Sequence, residues 1–130
     1  MFEWNGGLNA FYSREFAKCA LSIAARSCGV DPAQMSTDRR RTSVAFARQL
    51  AMYLCHVVGD MSLRDVARAF DRDRTTVSHA CHAIEDRRDN PVFDRQVEFL
   101  ENELRRAAGA LVERALAAPP IERKRFRLVG

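Results

Sequence analysis

No run of apolar residues in this 130-residue sequence approaches the roughly 18 that a membrane-spanning helix requires. The first residues also lack the basic-then-apolar order of a secretory signal. Cysteine occurs only at 19, 28, 55 and 81, within apolar helical patterns and without the spacing of a disulfide scaffold, so a reducing cytoplasm suits the chain best. Strand-like alternation of useful length, internal repeats and low-complexity tracts are all missing. Lysine is scarce as well: of 21 basic residues only Lys18 and Lys124 are lysine, a bias that carries no functional information by itself. What remains is a globular composition, 47% hydrophobic and 29% charged, with enough length for one modest core.

The net charge of +4 is unevenly placed. Residues 39–88 carry ten basic and six acidic side chains, and the tail from 117 carries four and one. Residues 1–38 and 89–116 are slightly acidic. A basic middle and tail fit a polyanionic partner, because Lys and Arg displace condensed counterions from phosphates. A solvated basic face would produce the same distribution, so charge alone does not decide.

The periodicity is helical throughout and predicts an all-α bundle of about six helices. Residues 8–28 place Phe16, Ile23 and Ala24 on one face, closed by Gly29. Asp31-Pro32 predicts an N-cap and a short helical turn through Met35, followed by a basic loop at Asp38-Arg39-Arg40-Arg41. Thr42 or Ser43 caps the next helix, which carries Val44, Ala47, Leu50, Leu54 and Val58 and ends at Gly59. Ser62 to Asp65 has the form of a capping box and opens a helix of about two turns through Phe70. After Asp71-Arg72-Asp73 a further helix runs through Val77, Ala80, Cys81 and Ile84, and Asn90-Pro91 either ends it or opens the last one. That last helix carries Phe93, Val97, Leu100, Leu104 and Leu111 until Ala117-Ala118-Pro119-Pro120 breaks it. Residues 1–116 are expected to form one domain, and 117–130 a basic tail that is either a flexible end or a second phosphate clamp.

Ser62 to about Arg88 has the pattern of a helix-turn-helix. Counting from Leu63, apolar Val66, Phe70, Val77 and Ala80 fall at the positions a steep helix crossing requires, with small Ala67 at the close contact. The ninth position, usually glycine, is Asp71, which tolerates a left-handed backbone better than most residues. Asp73-Arg74-Thr75-Thr76-Val77-Ser78 then supplies short and cationic side chains where a major-groove helix meets base edges. Arg can bond guanine O6 and N7 together, Asp can accept from cytosine N4, and Thr offers a hydroxyl or a methyl. The bland alternative is that Asp73 only caps the helix while Arg74 and the threonines sit on a solvated turn.

Residues from about Ala17 to Arg105 resemble the C-terminal DNA-binding domain of DnaA, the bacterial chromosomal replication initiator. The resemblance rests on Arg39-Arg40, Val44-Ala45, Arg48-Gln49-Leu50-Ala51-Met52, Ser62-Leu63 and Ala69-Phe70, then Asp73-x-Thr75-Thr76-Val77, His79-Ala80-Cys81 and Ile84-Glu85. It implies that Arg40 enters the minor groove within the Arg39–Arg41 loop, and that Arg48 and Thr76 contact phosphate. It further implies that backbone near Leu63 and Arg64 touches phosphate, and that Asp73 and Thr75 read bases. Arg74, Ser78 and His79 complete the candidate DNA-binding set. Arg74 stands where the family has His, and Ser78 where an apolar residue often meets a thymine methyl, so an altered target is expected. Nothing resembles the GxxxxGK[ST] loop of the initiator's ATPase module.

The expected function is that of a sequence-specific binder of double-stranded DNA. It would regulate replication initiation at initiator-type sites, in the cytoplasm on the nucleoid, with the full-length initiator or its regulators as candidate protein partners. A transcription regulator or a protein-binding adaptor of the initiation machinery is the alternative. No enzyme activity, cofactor or metal is expected. His79, Cys81 and His82, with Cys55 and His56, lack the strict pairs of a zinc module, and Cys19, Cys28 and Cys55 read as small core residues. The last helix either covers the backs of the helix pair or forms a dimer seam along its nearly heptad apolar spacing.

Overall fold

The computed structural model describes residues 4–34 and 42–116, with side chains for 11–33 and 42–113. Five α-helices and one short 3-10 turn follow in order: α1 (Trp4–Ser27), the turn Pro32–Gln34, α2 (Thr42–Val57), α3 (Leu63–Phe70), α4 (Arg74–Arg87) and α5 (Pro91–Leu116). The expected all-α bundle is thus found, with the sixth helix reduced to a single turn. No described helix is long and apolar enough to cross a membrane.

The helix ends lie close to where local chemistry predicts them. Gly29 adopts φ +72°, and the bonds from Val30 N to Ala25 O (2.8 Å) and from Gly29 N to Arg26 O (3.1 Å) satisfy the last carbonyls of α1. Asp31 caps the short turn, its carboxylate accepting from Ala33 N at 3.0 Å. Asn90-Pro91 opens α5: the Asn90 side chain accepts from Val92 N (2.9 Å) and Phe93 N (3.1 Å), with proline at the first helical position. Gly59 ends α2 for a different reason from Gly29. A Cβ there would lie 2.7 Å from both the Cys55 carbonyl and the Phe16 ring, so glycine is required by close approach. The left-handed residue after α2 is instead Asp60, at φ 55°.

One apolar cluster runs through all five helices, built from Phe16, Ala20, Leu50, Leu54, Cys55, Val66, Val77, Ile84, Val97 and Leu104 among others. A smaller one joins Ala25, Val30, Val44 and Ala47. α2 is the central element and packs on α1, α3 and α4. On α5, Val97, Leu100, Leu104 and Leu111 are buried within this chain, so the apolar stripe serves the core rather than standing open as a seam. The Cys55 thiol is fully enclosed, and burial raises its pKa.

Candidate nucleic-acid interface

α3 begins on a side-chain cap. Ser62 is extended (φ −65°, ψ 160°), and its hydroxyl accepts from Asp65 N at 3.0 Å. α3 ends on Asp71 at φ 55°, ψ 52°, where Arg72 N bonds Ala67 O (2.9 Å) and Asp71 N bonds Arg68 O (3.3 Å). This is the left-handed termination usually given to glycine, made here by an aspartate. It reverses the chain tightly enough for only three residues to separate Phe70 from the start of α4. Val66 and Ala67 of α3 and Val77, Ala80 and Ile84 of α4 are buried, which fixes the pair as a helix-turn-helix against α1 and α2.

The inward face of α4 also decides what faces out. With Val77, Ala80 and Ile84 inside, Asp73, Arg74, Thr75, Thr76 and His79 are all exposed and Ser78 is half-buried. Among the described residues, the side chains of Arg74, Thr75 and Thr76 make no hydrogen bond or ion pair. Asp73 occupies the N-cap place (φ −72°, ψ 150°), and its carbonyl accepts from Val77 N at 3.1 Å. Its carboxylate, however, makes no capping bond. The bland reading of Asp73 as a side-chain cap is therefore corrected: the helix start is held by its backbone, and the carboxylate is left for other use. Together these residues give a continuous polar surface with hydrogen-bonding capacity of both kinds.

The other candidate residues lie on α2, on α3 and outside the described residues. Leu63, half-buried, and Arg64, exposed, form the first turn of α3, while Arg48 is half-buried on α2. Arg39, Arg40 and Arg41 lie outside the described residues, as does the tail from 117. The histidines take separate tasks. His56 Nδ1–H donates to Met61 O at 2.7 Å, bracing the turn before α3, and His82 Nδ1–H donates to Ser78 O at 2.9 Å. Among the described residues no three His, Cys, Asp or Glu side chains converge as a metal site. An open groove of about 560 Å³ between α1 and α5, floored by Ile23, Val92, Phe99 and Leu100, includes no residue of α3 or α4.

Sequence reasoning missed what holds the far end of α4. Arg88, just past that helix, donates from Nε to Asp94 (2.6 Å) and from Nη1 to Glu101 (2.7 Å) and to the Tyr53 hydroxyl (3.0 Å). Tyr53 in turn donates to Glu85 at 2.8 Å. Burial and the Glu85 hydrogen bond push the Tyr53 phenol up to about 12, so it remains a donor at neutral pH. Burial acts to lower the Arg88 pKa, but the bonds to Asp94, Glu101 and Tyr53 outweigh it and raise it. The available signal was Glu101, a carboxylate inside the Val97–Leu100–Leu104 stripe and only 7% exposed. A buried charge at such a position demands a partner. Arg87 lies beside Arg88 with its guanidinium 4.5 Å from the Phe46 ring centroid and 5.1 Å from that of Phe93.

Residues 20–84 match the family described as "Bacterial dnaA protein helix-turn-helix". Two solved structures resemble the chain over most of its length. One is a crystal structure of a DNA replication initiation factor, 31% identical, with a TM-score of 0.69, covering 78% of this chain and 32% of that one. The other is the replication initiator DnaA bound to AMPPCP and single-stranded DNA, 30% identical, with a TM-score of 0.66, covering 82% and 33%. The chain thus spans about a third of the length of the structures it matches.

Proposed function

The chain belongs to the bacterial DnaA helix-turn-helix family, and from that membership we propose that it binds double-stranded DNA in a sequence-specific manner and regulates replication initiation. α4 lies in the major groove with Asp73, Arg74 and Thr75 at base edges and Thr76 on phosphate; Ser78 and His79 border that surface. Arg48, the backbone of Leu63 and Arg64, and the Arg39–Arg41 loop complete the grip, with Arg40 in the minor groove. The single observation that carries this reading is the exposed turn Asp73–Thr76. It is held rigidly by buried Val77 and by the Asp71 reversal, yet its side chains are uncommitted within the chain. A surface that presents donors and acceptors from the start of a well-packed helix suits base readout.

The protein acts in this reading as a binding protein on the nucleoid, not as an enzyme. Its target differs from the unmodified initiator box because Arg74 favours guanine, whose O6 and N7 accept both arms of a guanidinium. Selection from a random duplex pool tests this directly. An enriched site related to the initiator box but with guanine opposite Arg74 is expected, and recovery of the unmodified box would overturn the altered specificity. Occupancy across the genome then separates the roles: enrichment at the replication origin supports regulation of initiation, and enrichment at promoters supports a transcription regulator instead.

A further inference from the structure

We propose that Tyr53 is a positioning residue for DNA reading: through Glu85 and Arg88 it fixes the rotation and tilt of α4 relative to α2. The consequence for DNA rests on the function proposed above, while the geometric claim stands apart from it. α2 and α4 also share buried apolar side chains such as Leu54, Val77 and Ile84, and Arg87 of α4 stacks over the Phe46 ring of α2 at 4.5 Å. Apolar burial is non-directional and tolerates small slides and rotations, whereas hydrogen bonds constrain angle as well as distance. The Tyr53 hydroxyl donates to Glu85 within α4 (2.8 Å) and accepts from Arg88 immediately after it (3.0 Å), so one oxygen on α2 holds two points at the end of α4. Arg88 cannot follow a shifted helix freely, because Asp94 and Glu101 of α5 hold the same guanidinium at 2.6 and 2.7 Å.

The leverage comes from helix length. Asp73 lies 12 residues before Glu85, which is about 18 Å along an α-helix. A tilt of about 5° at the anchored end would therefore displace the reading turn by about 1.5 Å. That displacement is enough to lose aligned hydrogen bonds to base edges. α2 also carries Arg48. The same anchor therefore sets the spacing between Arg48 and the start of α4, not only the aim of α4.

The test uses the full chain with Tyr53→Phe, which removes one oxygen and keeps the ring, and Glu85→Gln, whose amide oxygen can still accept from the tyrosine. Residual dipolar couplings of the free proteins report the orientation of α4 against α2. A reorientation in Tyr53→Phe that is absent in Glu85→Gln is expected, and identical couplings in all three proteins would overturn the proposal whether or not any duplex is bound. Affinity is then compared between the duplex selected from a random pool and a scrambled duplex. Discrimination is expected to fall roughly fivefold in Tyr53→Phe, the weight of about one hydrogen bond, with scrambled-duplex affinity unchanged and Glu85→Gln near wild type. Equal weakening on both duplexes would mark a merely structural role and overturn positioning. Failure of the wild type to select any duplex would overturn the proposed function and leave the couplings to decide the geometric claim.

Discussion

The two ends of α4 follow opposite rules. At its start, Asp73, Arg74, Thr75 and Thr76 face solvent, and the Asp73 carboxylate does not even cap its own helix. At its end, the guanidinium of Arg88 makes three hydrogen bonds, to a tyrosine and two carboxylates, and Tyr53 adds a fourth link to Glu85. The first end leaves its exposed side chains unbonded within the chain, whereas the second ties Arg88, Tyr53 and Glu85 into one network. Capacity left open near a rigid anchor is what recognition needs, because donors that are already pointed lose little freedom when a ligand arrives. The comparison also explains how α4 can carry so polar a first turn: its stability comes from Val77, Ala80, Ile84 and the anchored end.

The strongest way to break this contrast is to remove the anchor. Arg88→Ala leaves Glu101 buried without a partner, and chemical denaturation should show a loss of about 3 kcal/mol in stability. A loss within the few tenths typical of surface sites would show that the anchor is not structural. At the open end the expectation reverses. Arg74→Ala should leave stability within about 0.5 kcal/mol while weakening the selected duplex by about 2 kcal/mol and relaxing preference at one base pair. Uniform weakening across sequences would instead make Arg74 a phosphate contact. Ser62→Ala probes the turn between these extremes. Losing the bond to Asp65 N should destabilise by about 1 kcal/mol without altering which base is preferred.

The smallest effect concerns alkaline pH. The Tyr53 phenol titrates near its ordinary 10.0 when unfolded and at about 12 when folded, since burial and Glu85 disfavour its ionised form. Between those values the unfolded chain releases a proton that the folded chain keeps, so stability falls as pH rises from about 10 to about 12. Tyr53→Phe should flatten that limb of the pH–stability curve measured by urea unfolding. An unchanged slope would mean that the phenol is more open to water than the packing implies.

The helices and their ends were legible in sequence because their signals are local. Gly29, Asp31-Pro32, Ser62 and Asp71 each specify a backbone conformation within a few residues, and all four behave as their chemistry predicts. The exposure of Asp73–Thr76 was legible too, since Val77, Ala80 and Ile84 define the buried face and thereby the outward one. The Tyr53–Glu85–Arg88–Glu101 network was not legible, because its members are up to 48 residues apart and only the fold brings them together. Gly59 shows the same limit. Its position at the end of α2 was expected, but the need for glycine comes from Phe16, more than forty residues earlier.

Cys55 gives the bundle a built-in clock. Its thiol is fully enclosed and, with a raised pKa, scarcely forms the thiolate that alkylating reagents attack. Modification must therefore wait for α2 to part from its neighbours, and the rate at which it accrues counts those openings. Run with and without duplex, the same clock would register how far the binding proposed at the start of α4 slows the breathing of the helix behind it.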